Sequence, residues 1–167
     1  MPPIGVRQHD GMSTPADDGL RTATGADAEQ LVELWTLVFA EEGADPRAAW
    51  RKHALDWFAR TVEDALGARF PVVEVDGSIV ATAIGTLETG VPNPHSPRGR
   101  TVRLANVITL PSHRGRGHGT RVVRDVVDWA RSIEADRVDL SATPDAQRIY
   151  ERAGFTLTTA PRMKLVL

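Results

Sequence analysis

The spacing of apolar positions changes twice along the chain. Leu20–Ala23 is long enough for one short strand. Leu31, Leu34, Trp35 and Val38 then recur at helical spacing. Thr24 offers an N-cap with Asp27 three residues on, so a first helix is expected to about Ala40, ended by Gly43. Asp45-Pro46 is a second start signal, a cap followed by proline at the first helical position. Trp50, Ala54, Trp57, Phe58, Val62 and Leu66 give this second helix one apolar face, and Gly67 closes it. Its tryptophans read as core or as the wall of a substrate cleft.

From there the period is that of strands. Arg69–Val75 and Ser78–Leu87 flank Asp76-Gly77, a strong hairpin signal. Gly90–Arg100, with three prolines, is a loop. Thr101–Leu110 is a third apolar strand that runs into Pro111 and a glycine-rich turn. Val122, Val123, Val126, Val127 and Ala130 then make one face of a helix from Gly119 to about Ile133. A strand at Arg137–Ala142, a helix at Pro144–Arg152 and a closing strand at Arg162–Leu167 complete the reading. No internal repeat is present. Helices, an antiparallel hairpin and a strand–helix–strand unit together predict an α/β fold with a mixed sheet. Met1–Gly19, rich in Pro, Gly, Asp and Ser, is expected to be a flexible tail before a single domain from Leu20 to Leu167.

Composition narrows the class. A chain of 167 residues suits one domain with a sizeable core. No apolar run approaches the ~18 residues of a membrane span, and the N-terminus lacks the apolar centre of a signal peptide. A cytoplasmic location is the resulting expectation. With no cysteine, disulfides, thiolate metal sites and cysteine nucleophiles are excluded. No His/Asp/Glu cluster has metal-ligand spacing, so no metal is expected. The net charge of −2 argues against a nucleic-acid binder. Arg98–Arg124 nonetheless holds seven arginines, two histidines and no acidic residue, a positive stretch suited to an anion or simply to solvent.

The chemistry concentrates in Leu110-Pro111-Ser112-His113-Arg114-Gly115-Arg116-Gly117-His118-Gly119-Thr120, between a strand and a helix. Glycines at 115, 117 and 119 permit positive φ and close approach of a ligand to the backbone. Amide N–H groups converge at the helix N-terminus, where the macrodipole favours negative charge. This is a phosphate or pyrophosphate site. It lacks the Gly-Lys-Ser/Thr ending of a Walker A loop, and its glycines do not keep the dinucleotide-binding spacing.

Its pattern, Arg114, Gly117 and Gly119 as R-x-x-G-x-G, resembles the diphosphate-binding signature of the GCN5-related N-acetyltransferase (GNAT) superfamily. Ala146-Gln147-Arg148-Ile149-Tyr150-Glu151-Arg152-Ala153-Gly154-Phe155 likewise resembles that family's A-x-x-x-Y-x-x-x-G-F segment. The resemblance implies a GNAT-like, mostly antiparallel sheet flanked by helices. It implies acetyl-coenzyme A as acyl donor, direct transfer to a small-molecule or protein amine, and Tyr150 as general acid to the departing thiolate. Ile108, Thr109, Leu110, Arg114–Thr120 and Thr143 would hold the cofactor. Thr143 stands where the family often has Asn. Pantetheine would run along Asn106–Leu110, with a backbone N–H near Ile108–Leu110 polarising the carbonyl.

The family's frequent carboxylate in the strand before the turn is replaced by Asn106, which is expected to orient substrate. Glu41, Glu42, Glu88 or a water chain are then the candidate bases, and His113 and His118 read as phosphate-edge residues. The loop Gly90–Arg100 and the junction Glu41–Pro46 are expected to border the acceptor. Many such domains pair as dimers. Transfer of another acyl group and coenzyme A binding without turnover are the alternative readings, with nucleic-acid binding ranked last.

Overall fold

A computed structural model describes residues 19–41, 45 and 49–167, with the side chains of residues 40 and 41 outside that description. Strand β1 (Leu20–Thr22) leads through a 3-10 turn (Gly25–Asp27) into α1 (Ala28–Glu41). Helix α2 (Trp50–Thr61) precedes β2 (Ala68–Arg69), β3 (Pro71–Val75), β4 (Ser78–Thr89) and β5 (Arg100–Thr109). A 3-10 turn (Pro111–His113), α3 (His118–Ser132), β6 (Arg137–Asp139) and α4 (Gln147–Arg152) follow.

The sheet runs β1-β3-β4-β5-β6, with β2 also on β4. Every pairing is antiparallel except β5 with β6, which is parallel. Both faces are covered. On one, α1 and α2 bury Leu31, Val32, Trp35 and Phe58 against Phe70, Val72, Ile84 and Ile108. On the other, α3 buries Val122, Val123, Val126 and Trp129 against Val80, Ala83, Val102 and Leu104. Strand β4 is therefore buried on both sides, which is why it reads as an almost unbroken apolar run.

The hairpin turn is as expected: Asp76 and Gly77 have φ of 49° and 76°, the pair of left-handed residues that a tight two-residue turn needs. Asp27 accepts the Thr24 N–H at 2.7 Å, so the cap forms, and the first turn it starts is 3-10. Helix α2 ends at Thr61, five residues short of expectation, and Leu66 is exposed. There the Thr61 hydroxyl donates back to the Trp57 carbonyl at 2.7 Å, and Asp64 caps the Gly67 N–H at 2.9 Å. The expected start at Asp45-Pro46 falls largely outside the described residues, as do Gly43 and the Met1–Asp18 tail. The expected closing strand is absent: Arg162–Leu167 has no strand pairing and is exposed.

Two contacts fix α3 on the sheet. Arg69 of β2 forms a two-pronged ion pair with Asp125, at 2.7 and 2.9 Å. A Cβ on Gly85 would lie 2.7 Å from Val126 Cγ1, so that glycine permits the helix to sit this close to β4.

Candidate active site

Two features of β5 shape the site. Its pairing with β6 covers only Thr101–Arg103 against Arg137–Asp139. Beyond Arg103 the strands part, and a cleft of about 650 Å³ lies between Leu104–Thr109 on one side and Ser141, Thr143, Ile149 and Tyr150 on the other. The second feature is a bulge. Asn106 and Val107 together face Ala83, because the register shifts between Thr82↔Ile108 and Ile84↔Ala105. Asn106 takes φ of 47°, a left-handed value that Asn tolerates better than most residues. The extra residue reverses the alternation: Val102 and Leu104 face α3, whereas Ile108 faces α1 and α2.

The glycine-rich turn closes one end of the cleft. Gly115 and Gly117 have φ of 75° and 81°, so both need the freedom of glycine, and no atom lies within 4 Å of a Cβ built on either. Gly117 is the N-cap of α3, whose first turn carries no acidic residue. Gly119 differs from expectation: it lies inside α3 without a positive φ, and a Cβ there would make an ordinary 3.5 Å contact with Thr109 Oγ1. Its missing side chain leaves room rather than permitting a turn. Free N–H groups of the first helical turn and the positive end of the helix dipole both face this end of the cleft.

Most residues singled out in the sequence meet here. Asn106, Ile108, Thr109, Arg114, Gly115, Gly117, His118, Gly119, Thr120, Thr143 and Tyr150 line the cleft. Leu110 and Arg116 do not. Leu110 packs between the two cores, and its N–H is spent on the Val80 carbonyl at 2.8 Å. By the alternation of an antiparallel ladder, the Thr109 N–H points away from β4 and toward the cleft. Arg116 is exposed. Arg114 donates through Nε to the Thr109 carbonyl at 3.2 Å, which braces the turn against the strand it follows.

Tyr150 is half-buried on α4, edge-on to Phe155 with ring centroids 5.9 Å apart. Its hydroxyl makes no hydrogen bond among the described residues, and burial pushes its pKa up. The ring is therefore held by packing while the protonated hydroxyl is left to a ligand.

The positive stretch does not stay together. Arg98 is 3.7 Å from Asp136, Arg100 donates to the Ile133 carbonyl, and Arg103 lies 3.5 Å from Glu88. These three belong to the far end of β5. The Gly90–Arg100 loop is tied there too: Asp136 accepts from the Ser96 hydroxyl and from the Arg98 and Arg100 N–H groups. None of the loop's residues lines this cleft or the one on the α1–α2 face described below, although the loop was expected to border the acceptor. Glu88 pairs with Thr101, five residues along β4 from the bulge or about 16 Å, too far for a base. The Glu41 side chain and Glu42 lie outside the described residues.

A second cleft of about 440 Å³ opens on the α1–α2 face, walled by Trp35, Phe39, Trp50 and Trp57 over Ile84 and Thr86. Ala105 and Asn106 line both clefts, so the two meet at the bulge. Neither described lining contains an Asp or Glu. His53, exposed at the rim of the second cleft, was not foreseen; it lies three residues after Trp50 and four before Trp57, on the same helix face. Among the described residues no His/Asp/Glu group is placed to hold a metal, and no helix is long and apolar enough to cross a membrane.

Comparison with known proteins bears on this arrangement. The Acetyltransferase (GNAT) family model matches residues 29–155. The uncharacterized N-acetyltransferase YobR of Bacillus subtilis (strain 168) is 34% identical over 56 residues, which is 32% of this chain and 23% of that protein. Glucosamine 6-phosphate N-acetyltransferase 1 of Oryza sativa subsp. japonica is 37% identical over 57 residues, 34% of each chain. The matched stretch thus spans only a quarter to a third of the curated relatives' length. Among solved structures, a predicted acetyltransferase with acetyl-CoA from Clostridium acetobutylicum superposes with a TM-score of 0.78. It is 24% identical, over 88% of this chain and 94% of that one. Glucosamine-6-phosphate N-acetyltransferase from Arabidopsis thaliana gives a TM-score of 0.72 at 18% identity, over 87% and 96%. At these identities the structures speak for the fold alone.

Proposed function

The chain belongs to the acetyltransferase (GNAT) family, and from that premise we propose that it transfers an acetyl group from acetyl-coenzyme A directly to a primary amine. The observation that carries the reading is the cleft between the parted strands, closed at one end by the positive-φ turn and the α3 N-terminus. The diphosphate of the donor would lie on that turn, against the backbone N–H groups of residues 117–120. Its pantetheine arm would pair with the unpartnered edge of Leu104–Thr109 as an added strand. That places the thioester at the bulge, where the two clefts meet.

The neutral amine enters from the second cleft and its nitrogen attacks the acetyl carbon. The Thr109 N–H stabilises the charge that develops on the carbonyl oxygen. As the carbon–sulfur bond breaks, the Tyr150 hydroxyl gives its proton to the leaving sulfur, and the amine's surplus proton passes toward His53 at the rim. The products are the amide and free coenzyme A. No acyl-enzyme is needed, in keeping with a chain that has no cysteine.

Calorimetry with acetyl-coenzyme A on the wild type and on Gly119→Asp tests the donor site. Asp is tolerated by an ordinary helical φ and is favoured at a helix N-terminus, so the variant should keep its melting temperature. It should nonetheless lose acetyl-coenzyme A binding by at least tenfold. A wild type that does not bind acetyl-coenzyme A, or a variant that binds it equally well, overturns this assignment.

A further inference from the structure

The second cleft has a chemistry of its own. Trp35, Trp57, Trp50 and Phe39 form its walls, set edge-to-face at centroid distances of 6.2 Å (Trp35–Trp57) and 5.2 Å (Phe39–Trp50). Such a lattice holds its shape without a ligand. The described lining has no Lys, Arg, Asp or Glu, and its polar groups are Thr86, Asn106 and the rim His53. The Trp35 Nε1–H is buried with no acceptor among the described residues.

We infer that the acceptor is a primary amine carrying an apolar, aryl-sized body, and that the tryptophan-walled cleft is what selects it. The inference rests on the acetyltransferase reading and names its acceptor. A sugar phosphate would bring a doubly charged group into a described lining that offers it no cation, at a desolvation cost with no return. A polyamine would bring several ammonium groups, and the described lining has no carboxylate to meet them. An aryl amine instead buries its ring against indole faces and leaves its nitrogen at Ala105–Asn106, beside the acetyl group. The same apolar walls favour the neutral form of that nitrogen, because burial disfavours the charged one. The cleft thereby supplies part of what a carboxylate base would supply, and neither described lining holds such a carboxylate.

Three of the four tryptophans line this cleft, so intrinsic fluorescence reports on it directly. Titrations with 2-phenylethylamine, glucosamine 6-phosphate and spermidine, with coenzyme A present, decide the matter. 2-Phenylethylamine is expected to bind at least tenfold more tightly than either competitor. Trp50→Ala should weaken it about tenfold, and Ala54→Phe, which fills the cleft from α2, should abolish it. Calorimetry with acetyl-coenzyme A should be unchanged in both variants, which also shows that they fold. Equal or tighter binding of glucosamine 6-phosphate or spermidine overturns the inference, as does aryl-amine binding that neither substitution affects. A wild type that binds 2-phenylethylamine but no acetyl-coenzyme A would sink the acetyltransferase reading separately.

Discussion

Burial raises the pKa of Tyr150 above its ordinary value near 10, so the hydroxyl stays protonated throughout the neutral and mildly alkaline range. A general acid needs that state, and a nucleophile or base would need the other. Tyr150→Phe removes the proton and keeps the ring contact with Phe155. It should lower kcat by about 10²–10⁴-fold and leave the Kd for acetyl-coenzyme A nearly unchanged. A loss confined to binding would reduce the tyrosine to a wall of the cleft. A pH series of kcat/KM on His53→Gln tests the other end of the reaction. Its deficit in kcat/KM should shrink as pH rises toward about 10, where hydroxide can take the surplus proton that His53 otherwise accepts after attack. A deficit independent of pH would remove His53 from the proton path.

Elements are held here by fit as much as by pattern. Gly85 has no room for a methyl group beneath Val126 and Trp129. Gly85→Ala should cost about 1–3 kcal/mol, seen as a lower urea midpoint with an unchanged m-value. Full stability would mean that α3 can ride higher on the sheet than its contacts suggest. The limits of the sequence reading follow from the same distinction. The α3 stripe and the Asp76-Gly77 hairpin are local patterns with local causes, and both formed as read. Arg162–Leu167 has the apolar content of a strand, but a strand needs a paired edge, and composition says nothing of partners. The turn was legible because glycine spacing reports backbone geometry directly. The tryptophan cleft was legible only as one of two readings, since a buried face and a cleft wall share one helical period. Glu88 and the Gly90–Arg100 loop were misplaced because their distance from the turn depends on strand direction, which the sequence does not state.

At the scale of the whole molecule, one charge cluster ties the first edge of the sheet to the first helix. Arg21 of β1 pairs with Asp27 at 2.8 Å and with Glu74 of β3 at 2.7 Å. Its hydrogen bonds hold the Asp27 carboxyl at a pKa of about 2, below the ordinary 3.8. The depressed value means that the contribution is complete above about pH 5 and is lost as pH falls toward 2. Urea titrations should show the wild type losing about 1–2 kcal/mol more than Asp27→Asn across that interval, a figure reduced because Arg21 is partly exposed. Equal losses would place the acid sensitivity elsewhere. The bulge at Asn106 acts over a similar span, because it lets one strand serve both cores. Its consequence is a constraint on chain length. Losing a single residue there would turn the last third of β5 inside out, sending Ile108 toward α3 and carrying the edge left open beyond Arg103 off its register. Change by substitution stays open to the strand at this point, while change by deletion is closed.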